Sequence, residues 1–92
     1  MASVRSVRVP DHVLTRRVES DLVALNLENE EYYGLDDVGT AIWEALVAST
    51  TVDAAVAKLL EEFEVDEDTL RRDVDHLIEE LSARGLLAVD PP

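Results

Sequence analysis

The stretch Glu31 to Leu46, EYYGLDDVGTAIWEAL, changes its hydrophobic period midway and so divides the chain into two kinds of structure. Before it, apolar residues come in short runs separated by polar breaks; after it, they recur at helical spacing. At the change stand Asp36 and Asp37. Either can cap the orphan amides of a helix while its charge faces the positive end of the dipole.

On the strand side, Val4, Val7 and Val9 alternate loosely until Pro10, which cannot donate to a ladder. Residues 1–11 are therefore predicted as a flexible or weakly paired lead-in. Val13–Val18 and Leu22–Leu27 are rich enough in branched residues for two strands, and the short break at Glu19-Ser20-Asp21 predicts a hairpin between them. Glu28-Asn29-Glu30 reverses the chain again, with Asn29 suited to a left-handed conformation, and Tyr32–Leu35 forms a third strand.

On the helical side, Val38, Ala41, Ile42, Ala45 and Leu46 mark the buried stripe of a first helix. A second follows the Thr51 cap, with Val52, Ala55, Val56, Leu59, Leu60 and Phe63 on one face. The third has the best-defined start: Asp66 at the N-cap, Glu67 and Asp68 in the first turn, and Val65 against Leu70 as a hydrophobic staple. Leu70, Val74, Leu77, Ile78 and Leu81 continue its stripe, and Gly85 after Arg84 supplies a stop. The order β-β-β-α-α-α, without βαβ alternation, predicts an α+β domain of winged helix-turn-helix type over residues 12–90: a three-stranded antiparallel sheet followed by three helices.

Ninety-two residues allow one modest core. The absence of cysteine excludes a disulfide framework, a thiolate metal site and a thiol nucleophile. No signal-peptide core or membrane-length apolar run occurs, so a cytoplasmic, unanchored protein is expected. His12 and His76 lie on different elements without a paired spacing, and a solvated helix face accounts for Asp73, His76 and Glu80 as well as a metal site does. One lysine and three scattered glycines exclude a phosphate-cradling loop. The expectation is a protein without catalysis and without a cofactor.

The net charge is −13 and uneven: residues 1–20 carry four arginines against two acids, and residues 21–92 carry four bases against 19 acids. Such a surface repels phosphate backbones and favours cationic partners. The third helix carries Arg71, Arg72 and Arg84 against six acids, a poor recognition helix for DNA. A winged-helix DNA regulator is the alternative reading, with Arg16 and Arg17 as its basic wing. What the fold class favours instead is peptide recognition, because an open sheet has edges and an edge beside a helix groove accepts an extra strand.

The run Leu25-Asn26-Leu27, Tyr32-Tyr33-Gly34-Leu35-Asp36-Asp37-Val38-Gly39, Ala41-Ile42-Trp43 and Leu46 resembles the signature of the PqqD-like family, the precursor-peptide recognition elements of ribosomal peptide biosynthesis. Downstream, the Thr51-Val52-Asp53 helix start, Phe63 and the closing Ala83-Arg84-Gly85-Leu86-Leu87 are similar too. The resemblance spans roughly residues 12–89 and is nearest to free-standing members of lasso-peptide clusters. It implies a non-catalytic protein that binds the leader of a precursor peptide by adding it to the third strand beside the third helix. The implied site is Glu30, Glu31, Tyr32, Tyr33 and Gly34 on the strand, faced by residues from Leu70, Asp73, Val74, Leu77 and Leu81. The implied partners, besides the leader, are a separate cysteine protease that removes it and an ATP-dependent cyclase; neither nucleic acid nor membrane is expected. Asp36 stands where the family often has Asn, and both residues cap.

Overall fold

The computed structural model describes residues 5–90. Five strands and three helices occur among them. They are β1 (Ser6–Arg8), β2 (Val13–Val18), β3 (Asp21–Asn26), β4 (Tyr32–Leu35), α1 (Asp37–Ala48), α2 (Val52–Glu62), α3 (Glu67–Ala83) and β5 (Ala88–Asp90). The predicted α+β architecture is present: β2, β3 and β4 form an antiparallel meander, and the three helices follow it. A second, two-stranded sheet joins β1 to β5 in the register Val7↔Val89. The lead-in predicted over residues 1–11 thus contributes β1, while its first four residues lie outside the described ones.

Each helix begins where a side-chain oxygen meets an orphan amide. Asp36 accepts from Gly39 N at 2.8 Å, Thr51 from Ala54 N at 3.0 Å and Asp66 from Thr69 N at 3.1 Å. Of the two aspartates offered by the sequence, Asp36 is therefore the cap, and Asp37 opens the first turn. Gly39 is held close against Leu35, where a Cβ would come within 3.2 Å of that side chain. This contact fixes the sharp exit from β4 into α1.

The core lies between the inner face of the meander and the helices. Ala24, Ala55, Val56, Val74, Leu81 and Leu86 are fully buried, and Trp43 and Ile42 join them. Burying each large apolar side chain contributes roughly 1.5–3 kcal/mol. Leu86 and Leu87, which read as the start of an apolar tail, are core residues that lead into β5.

Three details correct the sequence reading. The left-handed residue of the β3–β4 turn is Glu30 (φ 61°), while Asn29 holds the turn by accepting from Glu31 N at 2.9 Å. Leu27 falls outside β3 and is exposed. Val38 and Phe63, expected on buried stripes, are both more than a third exposed. Helical spacing placed them on the inward side, but no element among the described residues packs over them.

Candidate peptide-binding site

The strand order β2-β3-β4 leaves β4 at one edge of its sheet. Asn26 N donates to Glu31 O at 2.8 Å, which with the register Ala24↔Tyr33 and Leu22↔Leu35 sets the alternation of the ladder. Residues 33 and 35 direct their backbone groups to β3. Tyr32 and Gly34 therefore turn their N–H and C=O outward, to an edge that no strand among the described residues covers. Above Gly34 the space is open, since a Cβ there would meet nothing within 4 Å.

α3 borders two recesses, one towards each end of the helix, and the strip that joins them beside β4 is the candidate groove. At one end Tyr33 lies under the Arg84 guanidinium, 5.2 Å from its ring centroid, with the Glu80 carboxylate close enough to act on the phenol. Burial first, and then Glu80, push the Tyr33 phenol above its ordinary value of 10. Glu31, Glu80, Ala83 and Arg84 line this polar end. At the other end, just beyond β4, Val38 and Ile42 from α1 meet Phe63, Val65, Leu70 and Asp73 in an apolar cleft. Leu70 and Glu80 are ten positions apart on α3, so the groove is about 15 Å long at 1.5 Å rise per residue. An extended segment of about five residues would span it.

The C-terminal end of α3 is held in place by one buried amide. Asn26, 3 % exposed at the end of β3, donates through Nδ2 to the carbonyls of Arg84 (3.1 Å) and Gly85 (3.3 Å) and accepts at Oδ1 from Glu28 N (2.9 Å). One side chain thus ties the β3–β4 turn to the last carbonyls of α3. Gly85 makes the approach possible: its φ is +71°, and a Cβ would come within 2.6 Å of Asn26 Nδ2. The helix closes in a Schellman motif, Leu86 N donating to Leu81 O at 2.8 Å and Gly85 N to Ser82 O at 3.1 Å. His12 Nε2 adds a hydrogen bond to the Gly85 carbonyl at 3.2 Å.

The residues named from sequence separate into three groups. Leu70 and the exposed Asp73 line the apolar cleft, Tyr33 lies under Arg84 beside the polar end, and Gly34 and the half-buried Leu77 line neither recess. Glu30 and Glu31 sit at the turn entering β4; Tyr32 points from the opposite face of the sheet and is exposed. Val74 and Leu81 are 0 % exposed and belong to the core beneath the groove. Sequence reasoning missed Asn26, Glu80 and Arg84 as parts of the site, and Val38, Phe63 and Val65 as cleft walls. For Asn26 the signal was present: a polar residue at an inward position of the LVALNL run, with a period of two.

Two solved structures share this fold. One, described as TbiB1 in complex with the TbiA(beta) leader peptide, is 30% identical at a TM-score of 0.80, the match covering 87% of this chain and 93% of that one. The other, described as lasso peptide synthetase B1 complexed with the leader peptide, is 22% identical at a TM-score of 0.73 over 90% of this chain and 98% of that one, and shows likeness of fold. No curated protein shows a significant sequence match. The family model for coenzyme PQQ synthesis protein D (PqqD) matches residues 21–87, and with the 30% identical relative it shows that the chain belongs to the PqqD-like family of precursor-peptide recognition elements.

Proposed function

We propose that the chain captures the leader segment of a ribosomally made precursor peptide, of the lasso class, as a fourth strand on β4. The observation that carries this reading is the unpaired edge at Tyr32 and Gly34 beside the candidate groove along α3. The leader bound in both similar structures, as their descriptions state, supports it. Backbone bonds to Tyr32 and Gly34 set the register, and side chains of the guest are selected by Leu70, Asp73 and Leu77. Val74 and Leu81 support the groove from below, and Glu30 and Glu31 offer negative charge to a basic residue of the leader. The chain itself performs no catalysis. A separate cysteine protease and a cyclase act on the peptide it presents.

Against the DNA-regulator reading stands the state of the arginines on α3 and at its C-cap. Arg71 is held by Glu67 and Asp53, each at 2.9 Å, and Arg84 lies over Tyr33. That leaves Arg72, on a helix dominated by acids, to meet phosphates.

Fluorescence polarisation with the labelled leader of the precursor encoded beside this chain tests the proposal. Saturable binding with a Kd on the order of micromolar or tighter is expected. The proposal fails if no saturable binding occurs up to tens of micromolar.

A further inference from the structure

Among the described residues that line the two recesses along α3, Arg84 is the one cation. Its guanidinium lies over the Tyr33 ring, and in a chain with 21 acids it has no ion pair and no side-chain hydrogen bond among the described residues. Arg5, Arg8, Arg17 and Arg71 are each paired with a carboxylate. Arg16 and Arg72 lack an ion pair too, but both are exposed and line neither recess along α3. The two acids of the polar recess have neighbours of their own. Glu31 accepts from Asn29 Nδ2 at 3.3 Å, and Glu80 lies beside the Tyr33 phenol and 3.9 Å from His76 Nε2. Arg84 is also held in place: its carbonyl accepts from the buried Asn26 amide at 3.1 Å, and a guanidinium resting on a ring keeps its fork of N–H donors for a planar acceptor.

We infer that Arg84 determines which leader is captured, by pairing with the carboxylate of an aspartate or glutamate in the guest strand. The inference rests on the proposed function and deepens it. Tyr33 stands on the helix-facing side of β4, across from the buried Ala24, so a guest residue beside it turns its side chain to the same side and meets Arg84. A carboxylate held by the fork of an arginine makes the strong, charge-assisted kind of hydrogen bond. The surrounding charge makes the contact selective. An acid of the guest that misses the guanidinium faces Glu31, Glu80 and a chain of net charge −13, so Arg84 admits an acid at one register and the surface repels it at others. The apolar cleft begins about 15 Å away along α3. The acid should therefore stand about four residues from the apolar side chain that enters the cleft, an even spacing that keeps both on the helix-facing side of an extended strand.

The test is fluorescence polarisation of the full-length chain with the labelled leader of the precursor encoded beside it, and with leader variants in which each Asp or Glu in turn becomes its amide. Arg84→Gln and Arg84→Lys are compared with wild type, and urea denaturation checks their stability. The bond to Asn26 uses the carbonyl of residue 84, so it survives a change of side chain. One leader amide is expected to weaken binding to wild type at least tenfold, and Arg84→Gln to weaken the unaltered leader by a similar factor. The two changes together should cost no more than either alone, the mark of a direct pair. Arg84→Lys, which keeps the charge and loses the fork, should fall between. A purely structural role would weaken every leader variant alike, so losses that multiply overturn the inference. So does affinity within twofold of wild type in both folded Arg84 variants, or a leader in which no acid matters; each of these leaves leader capture itself standing. If the unaltered leader fails to bind wild type, the proposed function falls and the inference with it.

Discussion

Two hydrogen bonds from the Asn26 amide to the carbonyls of Arg84 and Gly85 tie the end of α3 to the end of β3, beside β4. Replacing Gly85 by Ala attacks this point twice. An L-residue in the left-handed region costs about 1–2 kcal/mol, and the new Cβ displaces the Asn26 amide and leaves its buried groups partly unsatisfied, about 1–3 kcal/mol more. Gly85→Ala is therefore expected to lower unfolding stability by at least about 2 kcal/mol in urea denaturation, and a loss below about 0.5 kcal/mol would show that the junction yields freely. Tyr33 reports the other side of the same corner. Its phenol is raised above 10, first by burial and then by Glu80, so the folded chain holds this proton more tightly than the unfolded one. The sign follows: the contribution to stability is intact below pH 10 and is lost as pH rises through the raised value. In Tyr32→Phe, where Tyr33 is the remaining tyrosine, the phenolate absorption should titrate above 10, and adding Glu80→Gln should bring the midpoint down without restoring it fully. A midpoint at or below 10 would contradict the burial seen here.

At the scale of elements, the helices were legible because their signals are local. Asp36, Thr51 and Asp66 cap three helices by short-range bonds that a sequence displays directly. Strand β4 was legible for the same reason, lying between a turn and a cap. What periodicity left open was what lies over a stripe: Val38 and Phe63 have core-like spacing, yet with Val65 they wall an open cleft. Val74 and Leu81 are the reverse case, drawn into the candidate site because one apolar stripe on α3 serves both groove and core. The edge itself can be tested without touching either. Gly34 turns its N–H away from β3, and an edge strand tolerates proline at such a position, so Gly34→Pro should fold with near-wild-type stability. It removes a donor that a guest strand would need and puts a ring in its path. Leader affinity in fluorescence polarisation is expected to fall at least tenfold, about 1.4 kcal/mol. Unchanged affinity in the folded variant would move the guest away from this edge.

For the whole molecule, the pairing of β1 with β5 joins residues 80 to 84 positions apart, and nothing in either short segment names the other. Such closure is decided by the assembled core: Val7 and Val9 pack against it, and Arg5 O accepts from Val52 N at 2.8 Å. The distribution of charge, by contrast, was readable at once, and it belongs to this scale because no single acid carries it. A field of −13 acts on an approaching peptide over a Debye length, about 30 Å at 0.01 M salt and 3 Å at 1 M. Contacts in the groove act only at touching distance, through the backbone edge and the apolar cleft. The two therefore separate in kinetics. For a leader bearing lysine or arginine, stopped-flow association should slow severalfold as salt rises across that range, whereas dissociation, governed by the ladder and the cleft, should change far less. If the dissociation rate carries the salt dependence instead, Glu31 and Glu80 hold the guest through close ion pairs at the polar end of the groove, and the acidic surface serves contact and not steering.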